Sequence, residues 1–149
     1  MVMAQHPSAA TLPADPTLDE IRAALAPLVA ASAAFDGFTA ATLDEAADAL
    51  GVDRDVARLA FPGGARDMVD AWFATIDAAM AERCPAETLA TMKIRERITR
   101  LVETRIDLLA PNRESLRRAL ALLALPGNAA HAAKLGWRAA DLMWRRAGD

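Results

Sequence analysis

Apolar residues recur along most of the chain at spacings of three and four, the period of a helix. Nowhere do they alternate with polar residues in the period of two that a half-buried strand needs. From Leu18 the positions Ile21, Leu25, Leu28 and Val29 form one helical row. Pro27 lies inside it as a kink or a restart, and Phe35-Asp36-Gly37-Phe38 closes it with a turn. Thr42-Leu43-Asp44-Glu45 has the form of a capping box. It predicts a short helix with Leu43, Ala46, Ala47 and Leu50 inward, ended by Gly51 in the left-handed conformation. Asp53 then caps a second short helix carrying Val56, Leu59 and Ala60, which Phe61-Pro62-Gly63-Gly64 stops.

The second half follows the same period. A helix from about Arg66 to Arg83 carries Met68, Trp72, Phe73, Ile76 and Met80 as its apolar stripe, and Pro85 breaks the chain after it. Another, from about Thr88 to Ala110, has Ile94, Ile98, Leu101, Val102 and Leu109 on its inner side and ends at Pro111. A short helix from Glu114 to Leu125 is broken by Pro126-Gly127-Asn128, and a last one runs from about Ala129 to Arg146. Residues 1–17, with Pro7, Pro13 and Pro16, are expected to be a disordered lead-in. The expectation is an all-α fold without internal repeats, a single helical domain over residues 18–149. Residues 18–65 form its helix-turn-helix unit, and residues 66–149 the helices for a ligand and for dimerisation.

Composition supports this and narrows the partners. The chain has 149 residues, enough for one core, and 54% of them are hydrophobic, many of them alanine. Its formal net charge is −3, which weighs against nucleic acid, because phosphate contacts demand a basic surface. The single cysteine, Cys84, has no internal partner and points to a reducing compartment. No signal peptide, Arg-rich transit segment or bilayer-spanning apolar run is recognisable. The preference for Arg over Lys, with abundant Ala, is associated with GC-rich bacterial genomes.

Residues 18–80 resemble the N-terminal domain of TetR-type regulators in the order of elements and in Thr42-Leu43, Gly51-Val52, Phe61-Pro62 and the long helix after them. In those regulators the second short helix enters the major groove, and a lysine at the start of the next helix grips a phosphate. Here residues 38–62 hold five Asp/Glu against Arg54 and Arg58. Arg58 and Ala60 stand where aromatic readers are expected, and Gly64 stands where the lysine is expected. Asp44, Asp53 and Asp55 would meet phosphates and be repelled. The composition favours a motif kept as a packing unit, with a core of Leu25, Leu43, Leu50, Val56, Leu59 and Phe61. The other reading is a working DNA reader built on Arg54, Arg58 and Arg66, hence a ligand-responsive repressor.

Residues 101–149 carry a second resemblance. Val102-Glu103-Thr104-Arg105 followed by Leu109 and Pro111, then Arg118-Ala119-Leu120 running into Leu125, Pro126 and Asn128, then Asp141, Met143 and Trp144 before Ala147-Gly148-Asp149 are similar to the TetR-like accessory lipid-binding family of ubiquinone (coenzyme Q) biosynthesis. The resemblance covers roughly residues 18–149. It implies a non-catalytic protein without a resident cofactor, a homodimer that holds an isoprenoid or phospholipid in an apolar pocket. Such a protein presents quinone intermediates to a membrane-associated demethoxyubiquinone hydroxylase, peripheral to the bacterial inner membrane on its cytoplasmic side. Family members continue with an Asp-x-Asn-x-Tyr-Thr-x-Arg run, a further core helix and an amphipathic helix that touches the membrane. That element, and part of the pocket wall, are expected beyond Asp149.

Expected pocket residues are Trp72, Ile76, Met80, Ile98, Leu101, Leu120 and Trp144, on helices that must pack together. Trp137 and Trp144, seven apart, share one helix face and suit either plain core or a pocket lining. Met68, Met80 and Met143 suit plain core or an adaptable lipid cavity. Family position marks Asp141 and Met143 as partner-binding, while Asp141 with Arg145 at i,i+4 also suits a solvated ion pair. Glu103 and Asp107 share a helix face, with Arg105 well round from them, so these are structural charges. His6, His131 and Cys84 lie too far apart in the chain to form a metal set. The Glu-x-x-His pairs of di-iron bundles are absent, and so is a Gly-rich phosphate loop.

Overall fold

The computed structural model describes residues 12–148. Residues 1–11 of the expected lead-in, His6 among them, and Asp149 lie outside the described residues. Among those described the chain is all-helical, with no strand. Its α-helices are α1 (Leu18–Asp36), α2 (Ala40–Leu50), α3 (Arg54–Ala60), α4 (Ala65–Arg83), α5 (Ala86–Ala90), α6 (Ile94–Leu109), α7 (Arg113–Leu123) and α8 (Ala129–Arg146). Short 3-10 turns at Ala110–Asn112 and Pro126–Asn128 join α6 to α7 and α7 to α8.

α1 is the central helix and packs on α2, α3, α4 and α7. Its buried side is built largely of small residues, Ala26, Ala30 and Ala33, between Leu25 and Val29, so neighbouring backbones approach closely. The helix runs through Pro27 without a break. A capping box starts it: Thr17 Oγ1 accepts from Glu20 N at 3.2 Å, and Glu20 reaches back to Thr17 N at 3.4 Å. Leu12 packs half-buried against the same core, so the end of the lead-in is tied to the fold.

The start of α2 corrects the expectation. The N-cap is Thr39, whose Oγ1 accepts from Thr42 N at 3.2 Å; Thr42 itself is buried and donates to the Gly37 carbonyl at 2.8 Å. Only the first half of a capping box forms here, because the Thr42 hydroxyl turns to the Gly37 carbonyl and to Thr39 Oγ1, 3.0 Å away. Gly51 ends α2 at φ 75°, ψ 26°, the left-handed exit, and Asp53 Oδ1 accepts from Asp55 N at 2.9 Å to cap α3. Phe61 and Leu43 are buried as expected, but Leu59 is 66% exposed. A seven-residue helix has room for one inward strip only, and Ala57 and Ala60 occupy it.

The expected helix from Thr88 is two pieces. Its first turn belongs to α5, the chain bends at Thr91–Lys93, and α6 begins at Ile94 with Glu96 accepting from Lys93 N at 3.0 Å. Ile94 and Val102 point outward as a result, while Leu101 is fully buried. Two packed clusters fill the interior. One joins α1–α4 to Ala119 and Leu123 of α7, so packing runs unbroken from the first four helices into the second half. The other holds Met80, Cys84, Leu89, Leu101 and Ala147.

Candidate functional site

A largely apolar concavity lies where α7 and α8 lean against α4 and α6. Phe73, Leu109, Leu116, Leu120, Leu123, Leu135, Gly136 and Ala139 line a groove of about 430 Å³, within the usual range for small-molecule sites. Four helices supply its walls, and helical period explains the two longest strips. Leu116, Leu120 and Leu123 are one strip of α7, and Leu135, Gly136 and Ala139 are one strip of α8. Phe73 projects from α4 beside the buried Trp72, with ring centroids 5.5 Å apart. The polar member of the lining is Arg105, which donates to Asp77 across α4 and α6 with both side chains mostly buried. The ion pair neutralises the guanidinium while leaving donors near the groove.

Of the expected pocket residues, the groove contains Leu120 alone. Trp72 and Ile76 are locked in the first packed cluster, and Met80 and Leu101 in the second, with Ile98 against them. Trp144 is 52% exposed on the outer side of α8. The seven do not meet because α4 divides its stripe between two packed clusters, Trp72 and Ile76 in the one around α1 and Met80 in the one with Leu101 of α6, and the space left over lies beside them. Met68 and Met80 are plain core. Phe73, Leu109 and Leu116 were the missed lining residues; their helical spacing was visible, but which stripe stays open was not.

Trp137 and Trp144 do share a face, but they are not plain core, since Trp137 is 76% exposed. With Ala140 and Asp141 they line a shallow notch of about 220 Å³. Asp141 Oδ2 accepts from Arg145 Nε at 2.9 Å, the solvated pair. Met143 turns the other way and packs against the second cluster, so the structure separates the two residues expected to bind a partner together. At 100° per residue, Met143 lies well round the helix from Asp141.

Polar contacts rather than deep burial seat α8. His131 Nε2 is 2.7 Å from Asp70 Oδ1 on α4. Arg146 Nη2 donates to the Ala81 and Cys84 carbonyls at 3.1 and 2.9 Å, satisfying the last turn of α4. Arg97 donates to the Ala147 carbonyl at 2.8 Å. Cys84 is buried, its sulfur 3.4 Å from Thr104 Oγ1. Glu103 and Asp107 flank a polar depression with Arg83 and Arg100.

On α3 both arginines are engaged. Arg54 binds Asp48 through two contacts, at 3.0 and 2.6 Å, and Arg58 Nη2 donates to Asp44 at 2.8 Å. Hydrogen bonding from Arg54 holds the Asp48 carboxyl below its ordinary range and raises the guanidinium in turn. Arg66 is exposed. Gly64 has φ 65° and ψ −130°, a conformation that a lysine would adopt only with strain. Among the described residues no group of three or more His, Cys, Asp or Glu is placed to hold a metal ion, and no helix is long and apolar enough to cross a membrane. No protein-family model matches the chain, and no curated protein matches it either.

Proposed function

We propose that the protein is a non-catalytic lipid-binding accessory factor with a TetR-like helical fold, acting in ubiquinone biosynthesis to present a quinone intermediate to a membrane-associated hydroxylase. The observation that carries this reading is the apolar groove between α4, α6, α7 and α8, of about 430 Å³, with Arg105 as its one charged lining residue. A long apolar tail suits such a trough, because the walls offer Leu, Phe and Ala side chains and ask for no polar partner along most of their length. Arg105 supplies donors for a quinone or headgroup oxygen at one side.

The acid on α2 and α3 supports the same reading against the repressor alternative. A DNA reader keeps its arginines free for phosphate and base edges, whereas Arg54 and Arg58 are spent on Asp48 and Asp44. The motif then serves as a packing unit around α1. Native mass spectrometry of the purified protein tests the proposal: a co-purifying isoprenoid or phospholipid is expected, and Leu120→Glu should remove it. An empty protein from a lipid-rich lysate, with added ubiquinone intermediates also failing to bind, sinks the reading.

A further inference from the structure

Charge is divided unevenly along this chain. Residues 1–90 hold five Lys/Arg against fourteen Asp/Glu, a net of −9, while residues 91–149 hold twelve against six, a net of +6. Within the basic half, α8 bears Lys134, Arg138, Arg145 and Arg146 against Asp141 alone. The same helix carries the two exposed tryptophans. A tryptophan three-quarters exposed is uncommon, because so large an apolar surface is normally hidden.

These features sit side by side on one surface. Trp144 falls about 20° round the helix from Trp137, so the two rings form one row with Ala140 beside it. Lys134, Arg138 and Arg145 fall about 60–100° to one side of that row, all exposed; Asp141, about 40° round on the same side, pairs with Arg145 and leaves Lys134 and Arg138 as the excess charge of that flank. Gly136 and Ala139, on the opposite flank, belong to the groove. The outer face of α8 is therefore an aromatic row between a basic flank and an apolar trough.

We infer that this face docks on an anionic lipid bilayer surface. Tryptophan rings settle at the headgroup level, where one edge is wet and the body is apolar. A row of Lys and Arg beside them is drawn to anionic headgroups, and the net −9 of residues 1–90 turns that half of the chain away from the same surface. Charge draws this face to an anionic partner, and shape favours a bilayer over an acidic protein, because the tryptophan row is shallow, with a notch of only about 220 Å³ and no deep pocket for an anchoring side chain. The inference stands independently of whether the groove holds a lipid. It places membrane contact on α8 itself, next to the groove's rim.

Co-sedimentation with vesicles of phosphatidylcholine alone, or mixed with phosphatidylglycerol, tests it. The protein is expected to pellet with the mixed vesicles only, and less as salt is raised. Trp137→Ala and Trp144→Ala should each weaken binding, and Lys134→Glu with Arg138→Glu should weaken it about tenfold or more. Phe35→Ser and Leu59→Ser, exposed apolar positions on α1 and α3, should bind as the parent does. Melting temperatures of all variants report that each is folded. A parent protein that stays in the supernatant with mixed vesicles overturns the inference. So does binding that the α8 substitutions leave unchanged, or tryptophan variants that split a dimer without altering sedimentation, which would assign the face to a second copy.

Discussion

Arg58 Nη2 on α3 donates to Asp44 Oδ2 on α2 over 2.8 Å, so an arginine that the repressor reading would offer to DNA is already paired within the protein. Asp44 is only 15% exposed and also lies 3.9 Å from Arg54. Competing phosphate would have to displace a carboxylate already seated between two guanidinium groups. Fluorescence anisotropy with duplex DNA at about 50 mM salt should therefore show no saturable binding. Tight binding with a steep salt slope would restore the repressor reading.

The neighbouring pair has a pH signature. Asp48 is held below its ordinary value of 3.8, chiefly by the hydrogen bonds from Arg54. A lowered carboxyl stabilises the fold above its unfolded pKa, and that contribution fades as pH falls through the lowered value. A carboxyl NMR titration should find Asp48 below 3.8 in the parent and back near it in Arg54→Gln. The pair is fully solvated, so the effect on overall stability should be small at any pH.

Groove and core leucines should respond in opposite ways. Leu101 is fully buried, and Leu101→Ala should cost about 2–5 kcal/mol in urea unfolding through the cavity it leaves. Leu120 is 54% exposed at the groove, and Leu120→Glu should change stability by about 0.5 kcal/mol or less while lowering lipid occupancy. Equal lipid content in Leu120→Glu and the parent would place the ligand elsewhere.

Arg146 and His131 should govern how firmly α8 is held. Arg146→Ala leaves the Ala81 and Cys84 carbonyls without that donor at the end of α4, at a cost of about 1–3 kcal/mol. His131→Ala breaks the contact with Asp70. Because α8 contains no fully buried residue, hydrogen exchange in Ala129–Arg146 should rise in both variants before it rises in α1. Uniform loss of protection across both helices would mean that α8 unfolds only with the whole domain.

Helix identity and most helix ends were legible in the order of residues, because they are decided within a few positions. The three-and-four spacing marks each amphipathic stripe, Gly51 alone relaxes into the left-handed exit, Asp53 reaches the free amides two and three residues on, and Pro126-Gly127-Asn128 interrupts the ladder of α7. Even the shared face of Trp137 and Trp144 follows from the helical period. Whether a stripe is buried depends on partners far along the chain, and there only the tertiary structure decides. α4 packs Trp72 into the cluster around α1 and Met80 against Leu101 of α6, and so all three become solid core. α8 directs Leu142 and Met143 inward and is tied down by His131 and Arg146, which leaves both its tryptophans outside. The groove is the space that these crossings fail to fill, so no local run of residues could announce it.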